Sequence, residues 1–277
     1  MGKNILLTIA YDGSVFHGWQ KQPGEFTVQG HLEQTMSRLF KQEITLSGTS
    51  RTDAGVHALD QKATLVTDIN VPTEKLPLVI NNALCGEEKV PFAKAPVRIL
   101  SAREMPEDFH ARFDCKGKKY IYKNRSGCGS NGEPGDLETG LSLVFDRNYC
   151  YHVSESLDAK AMAEAAKHLI GEHDFKSFEA SGGNPRETTV RTIFDAKVLE
   201  KAACEGSGNG TKYIEIHVSG DGFLYNMVRI ITGTLIEIGQ GKREPADVKR
   251  IIEAKDRQEA GFTAPPNGLY LAEVYYE

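Results

Sequence analysis

The two halves of this 277-residue chain share a strand–helix–strand order without a sequence repeat between them, and that order limits the fold more than any single residue does. Residues 4–11 alternate as a strand does and stop at Asp12-Gly13. Residues 28–40 then carry Leu32, Met36, Leu39 and Phe40 at helical spacing. Strand material follows at 45–46 and 61–66, then a second helix at 76–84 and a strand at 119–123. The second half opens on an alanine-rich amphipathic helix at 157–170 and continues with strands at 190–199 and 213–219. A long helix at 223–238 and a shorter one at 245–254 close it. Strand pairs joined by Gly- and Asn-rich turns, such as the one at 206–210, favour antiparallel pairing. The expected class is α+β, two similar subdomains with mainly antiparallel sheets flanked by helices. Composition sets the boundary at the Gly-, Ser- and acid-rich surface loop 126–140, giving subdomains 1–125 and 126–277.

Charge separates the same two halves. The net charge is −5, yet residues 1–125 hold 17 Lys and Arg against 14 acids, whereas 126–277 hold 16 against 24. The densest basic run, RFDCKGKKYIYKNR at 112–125, has six basic residues, one acid and three aromatics. Phosphate binding needs a local basic track rather than a basic protein, so overall acidity does not exclude a nucleic-acid partner. No apolar run approaches the roughly 18 residues of a membrane span. The opening apolar patch is too short and too quickly interrupted for a signal peptide. Five cysteines, at 85, 115, 128, 150 and 204, are scattered without a CxxC pair. They read as reduced thiols of a cytoplasmic protein rather than as disulfides or a zinc site.

The run RTDAGVHA at 51–58 carries the chemistry. It sets Asp53 between Arg51 and Gly55, crowded by Ser47, Thr49, Ser50 and Thr52 on one side and His57 and Asp60 on the other. Extended apolar residues follow, which places the run in a loop entering a strand, where catalytic groups concentrate. An arginine beside a carboxylate keeps it ionised at neutral pH, as a nucleophile or an electrostatic stabiliser requires. His57 and Asp60, four and seven residues after Asp53, would suit a helical metal cluster. Gly55 and the polar loop argue against a helix there, so no metal is expected. No P-loop is present, and the glycines at 206–210 do not form a dinucleotide fingerprint, so no cofactor is expected either.

Other segments stand in a fixed order around this run: YDGSVFHGWQ at 11–20, FHARFDCKGKKYIY at 109–122, GFLYNMVRIITGTLIEIGQGK at 222–242 and TAPPNGLYL at 263–271. Together with RTDAGVHA they resemble the tRNA pseudouridine synthase A family along nearly the whole chain. The resemblance implies a pseudouridine synthase fold and isomerisation of uridine to pseudouridine at positions 38–40 in the tRNA anticodon stem-loop. It implies Asp53 as the catalytic nucleophile, Arg51 as the loop arginine that holds the flipped nucleotide, Tyr120 stacking on the uracil, and Arg229 pairing with Asp53. It also implies a homodimer whose two protomers line the RNA cleft. Stretches 85–96 and 126–140 are longer here than the family pattern.

The chemistry agrees with those roles. Pseudouridine formation breaks the C1′–N1 bond and rejoins the same uracil through C5, with no atom gained and no electron transferred. A carboxylate suits an anomeric carbon, and an aromatic side chain can hold an unstacked base by its face. Lys118 and Lys119, with Lys116, Lys123 and Arg125, form the expected phosphate track. Two other readings of the residues stand beside this one: a metal-dependent hydrolase built on Asp53, His57 and Asp60, and an RNA-binding module without catalysis. Tyr120 and Tyr122, two apart on one strand, share a face, so spacing alone does not separate a base-stacking tyrosine from a core one.

Overall fold

A computed structural model describes residues 2–88, 94–127, 144–183, 187–201 and 212–277. Most of the 126–140 loop, part of the 85–96 stretch, the 206–210 turn, Cys128 and Cys204 lie outside the described residues. The chain divides into two compact units, Met1–Lys116 with Tyr270–Glu277, and Gly117–Leu269. Composition alone draws the line at 125/126; compactness groups the strand before that line with the second unit and returns the last eight residues to the first.

In the first unit β1 (Lys3–Tyr11) lies between β3 (His57–Thr67) and β4 (Val97–Met105), antiparallel to both. The other edge of β3 is shared. The two-residue strand β2 (Ser47–Gly48) pairs antiparallel at Ala63 and Thr64, and β10 (Leu269–Tyr275) pairs parallel at His57 and Ala58. Helices α1 (Val28–Phe40) and α2 (Leu76–Glu88) bury Leu32, Met36 and Ile80 in one core with Ile5, Leu7 and Ile9 of β1. Thr27 caps α1 by accepting from the Gly30 amide at 3.3 Å, and Lys41 ends it in the left-handed region. The helix expected at 28–40 is found at those bounds because its periodicity and both caps agree. Strand 45–46 is displaced by two residues to Ser47–Gly48, and β4 and β10 carried no sequence signal strong enough to predict them.

In the second unit β9 (Lys212–Gly220) is flanked by β5 (Gly117–Ser126) and β8 (Val190–Lys201), antiparallel to both. The short strand β7 (Gly171–Asp174) extends the sheet beyond β8, and β6 (Tyr151–Val153) pairs parallel with the end of β5. Ile214, Ile216 and Val218 alternate on the inner face of β9 and are fully buried. Helix α3 (Ala159–Lys167), capped by Asp158, packs on β8 and on α4 (Met227–Gly239); α5 (Asp247–Ala254) completes the layer. The helix expected from 223 begins only at Met227. Asn226 sits at φ 59°, a left-handed conformation that no continuous helix can pass through. Mostly antiparallel sheets with helices on them make the fold α+β, as the element order predicts.

Candidate active site

Asp53 stands half-buried and Arg51 exposed in a loop that joins β2 to β3. The loop has no regular structure of its own, and its backbone is fixed by groups from elsewhere in the first unit. Gln61, fully buried on β3, donates from Nε2 to the Ser50 carbonyl at 2.7 Å and accepts from the Ser50 amide at 3.2 Å. The Thr52 carbonyl accepts from the Trp19 amide at 3.1 Å, and the Thr52 hydroxyl meets Tyr11 Oη at 2.6 Å. Beyond Asp53 the chain turns at Gly55, φ 79°, with the Val56 amide donating back to the Asp53 carbonyl at 3.1 Å. A Cβ on Gly13 would stand 2.0 Å from the Val56 carbonyl oxygen, so only glycine allows the two segments to meet. Thus YDGSVFHGWQ and RTDAGVHA, 40 residues apart in sequence, form one structure: the first clamps the second.

That arrangement gives His57 and Asp60 other work. A β-bulge between Ala58 and Gln61 interrupts the alternation of β3 between them, and each is engaged by its own partners. His57 accepts from the Gly13 amide at Nδ1 (3.1 Å) and stacks on Tyr270 at 4.6 Å between ring centres. Asp60 accepts from Lys62 Nζ at 2.6 Å and from the Val274 amide at 2.9 Å. Both hold the strands of the first unit together. Among the described residues, no three His, Cys, Asp or Glu side chains gather as a metal set.

In the second unit Arg229 lies one turn into α4. Its Nη1 donates to Asn226 Oδ1 and its Nε to the Ala264 carbonyl, both at 2.7 Å, while its own carbonyl accepts from the Ala264 amide at 3.1 Å. The left-handed Asn226 that delays the helix is thus also the residue that orients the guanidinium. The segment bearing Ala264 lies so close to α4 that a Cβ on Gly233 would come 1.8 Å from the Phe262 carbonyl oxygen. These bonds show why NMVR and TAPP occur in one chain: each fixes the other.

The two tyrosines of β5 separate once packed. Tyr122 is fully buried and donates to the Pro265 carbonyl at 2.6 Å. Burial pushes its phenol well above the ordinary value, against the nearby positive charge of Arg229. Tyr122 is the core tyrosine. Tyr120 lies at the margin of the buried face, 9% exposed, edge-on to Phe223 at 5.1 Å between ring centres. Lys118 is on the same face of the strand as Tyr120, opposite Gly220, whereas Lys119 and Lys123 are on the other face, opposite Ser219 and Glu215. The expected basic track therefore divides between two faces. Arg125 leaves it altogether: it is 2% exposed, donates from Nη1 to Tyr213 Oη at 2.8 Å, and lies 5.0 Å over the Tyr213 ring. Its Nη1 also lies 3.8 Å from Asp146 Oδ2.

The structure thus brings Arg51 and Asp53 into one loop and Tyr120 and Lys118 onto one strand face, and puts Lys119 on the other. Sequence reasoning missed Gln61, Asn226 and Ala264, the groups that hold the loop and the arginine. None left a local signal; Gln61 stands between Asp60 and Lys62 in the sequence.

A family model described as tRNA pseudouridine synthase matches residues 7–114 and 165–277, spans that include the Asp53 loop and α4. The chain belongs to the tRNA pseudouridine synthase family and is an isomerase of the kind that acts on tRNA. It is 44% identical to tRNA pseudouridine synthase A 2 of Clostridium tetani, over 100% of both chains. It is 42% identical to tRNA pseudouridine synthase A of Caldicellulosiruptor bescii and 42% identical to tRNA pseudouridine synthase A 2 of Clostridium perfringens. Each of these alignments covers 99% of this chain and 100% of the relative. Among the described residues, no helix is long and apolar enough to cross a membrane.

Proposed function

We propose that this enzyme converts uridine to pseudouridine at positions 38–40 of the tRNA anticodon stem-loop, without a cofactor, as a cytoplasmic homodimer whose protomers both line the RNA cleft. Asp53 is the nucleophile and Arg229 its ionic partner. Arg51 holds the flipped nucleotide, Tyr120 stacks on the uracil, and Lys118 and Lys119 meet backbone phosphates. The observation that carries the reading is the Asp53 loop: a half-exposed carboxylate beside an exposed arginine, on a backbone bonded at Ser50, Thr52 and Val56. A group held this firmly reaches the reacting atoms with little reorganisation. Arg229, oriented by Asn226 and Ala264, has the same preparation on the other unit.

The isomerisation balances within the substrate. N1–C1′ breaks, the uracil turns, C5–C1′ forms, the proton leaves C5, and N1 regains one. A carboxylate that forms and releases a covalent bond needs no other reactant. Incubation with an unmodified tRNA transcript and mapping of pseudouridine tests the reading, with wild type forming it at 38–40. Asp53→Asn is expected to bind tRNA with unchanged affinity and to lose turnover almost completely, because the amide is nearly isosteric yet not nucleophilic. Turnover within about tenfold of wild type, a barrier change of only ~1.4 kcal/mol, would sink the role of Asp53. Pseudouridine outside 38–40 would overturn the assigned positions.

A further inference from the structure

The segment between β4 and β5 belongs to the motif FHARFDCKGKKYIY, yet its first half has no part in the chemistry above. Phe113 there is 77% exposed, the most exposed large hydrophobic side chain among the described residues. A single exposed apolar residue needs no explanation, but three observations set this one apart. The first is its neighbours. The His110 ring lies 4.3 Å from the Phe113 ring centre and the Arg112 guanidinium 6.0 Å from it, with the exposed Lys116 three residues on.

The second is rigidity. The Arg112 amide donates to His110 Nδ1 at 3.1 Å, the Asp114 amide to the His110 carbonyl at 3.1 Å, and the His110 amide to Asp114 Oδ2 at 2.7 Å. Asp114, the one acid of the turn, thus faces a backbone amide. The third is attachment. The Ala111 carbonyl, on a fully buried residue, accepts from Thr49 Oγ1 at 2.9 Å and from Tyr276 Oη at 2.9 Å. Phe109 packs against the Tyr276 ring at 5.1 Å between centres. Thr49 immediately precedes the Ser50–Asp53 loop, so the turn that presents Phe113 is bonded to the chain that presents Asp53.

We propose that Phe113, with His110 and Arg112 beside it, is a stacking platform for an unpaired base of the substrate RNA, one other than the uracil that reacts. The proposal rests on the reading of this chain as an enzyme acting on tRNA. An aromatic face accepts any base, an adjacent guanidinium adds cation–π attraction and meets phosphate, and a rigid turn avoids the entropy of ordering a loop on binding. Beside the ring the exposed charges are cationic, Arg112 and Lys116, with Asp114 engaged inward; the exposed acids of the segment, Glu107 and Asp108, lie at its other end.

The test compares Phe113→Ala and Phe113→Trp with wild type in binding of an unmodified tRNA transcript across a salt series, in single-turnover rate at saturating tRNA, and in mass in solution. Phe113→Ala is expected to weaken binding about tenfold, the low end of what stacking one base contributes. The slope of log affinity against log salt should stay unchanged, because no charge is removed. Phe113→Trp should bind at least as tightly as wild type, and the saturated rate should be kept in both. Affinity within twofold of wild type for Phe113→Ala would overturn the platform, as would equal losses for Ala and Trp. A drop in mass that accounts for the loss would also overturn it, since Phe113 would then seat a second copy of the chain. Wild-type protein that binds tRNA but forms no pseudouridine would overturn the enzymatic reading alone; normal modification with unchanged Phe113→Ala affinity would overturn the platform alone.

Discussion

Replacing Gln61 by leucine tests whether the Asp53 loop is held from behind. Leucine keeps the size of the side chain and removes both bonds to Ser50, the 2.7 Å bond to its carbonyl and the 3.2 Å bond from its amide. Ser50 is buried, so neither backbone group finds water readily. Two orphaned groups at about 1–3 kcal/mol each, less a fraction regained by burying an aliphatic side chain, amount to roughly 2–4 kcal/mol. At about 2–4 °C per kcal/mol for a chain of this size, melting should fall by roughly 4–16 °C. Asp53 lies three residues beyond Ser50. A displacement of about 1 Å there would slow the saturated single-turnover rate on the order of a hundredfold while tRNA affinity is nearly kept. Gln61→Glu sharpens the test. Its carboxylate can accept from the Ser50 amide but opposes the Ser50 carbonyl, and burial raises its pKa. Protonation restores a donor, so activity relative to wild type should recover as pH falls toward 5. A Gln61→Leu variant that melts within a degree or two of wild type, with its rate within twofold, would refute the lock.

Two other perturbations follow from the packing of β5. Tyr122 has its phenol raised by burial, so its contribution to stability is fully present below the ordinary tyrosine value near ~10 and is lost as pH rises through the folded value. Tyr122→Phe, lacking the bond to Pro265, should be less stable at neutral pH and lose less stability than wild type above about pH 10; parallel melting curves in alkali would contradict this. Lys118 and Lys119 point to opposite faces, and alanine at either should flatten the salt dependence of tRNA binding, by roughly 0.7–0.9 per phosphate contact removed. An unchanged slope for one of them would remove that lysine from the phosphate contacts.

The sequence by itself determined the class of the fold, the place of the longer elements and the loop that bears Asp53. Hydrophobic periodicity is a local property, and α1, α2, α3, β8 and β9 declare it within their own residues, with Thr27 capping α1 and Asp158 capping α3. The ordered motifs determined the family. The tertiary structure decided what those motifs hold. A Gly13 that only a close approach to Val56 explains, an amide at Gln61 that closes a loop 11 residues away, and an Arg229 aimed by Asn226 and Ala264 carry no local period. Their meaning comes from partners distant in the chain. The same holds for Arg125 and Phe113, neighbours in one basic run that packing sends to opposite fates. The arginine is buried against Tyr213, and a turn tied to Thr49 leaves the phenylalanine in water. Charge and aromatic content can be counted along a sequence; which of those side chains reach solvent is settled only when strands pair and one face is buried.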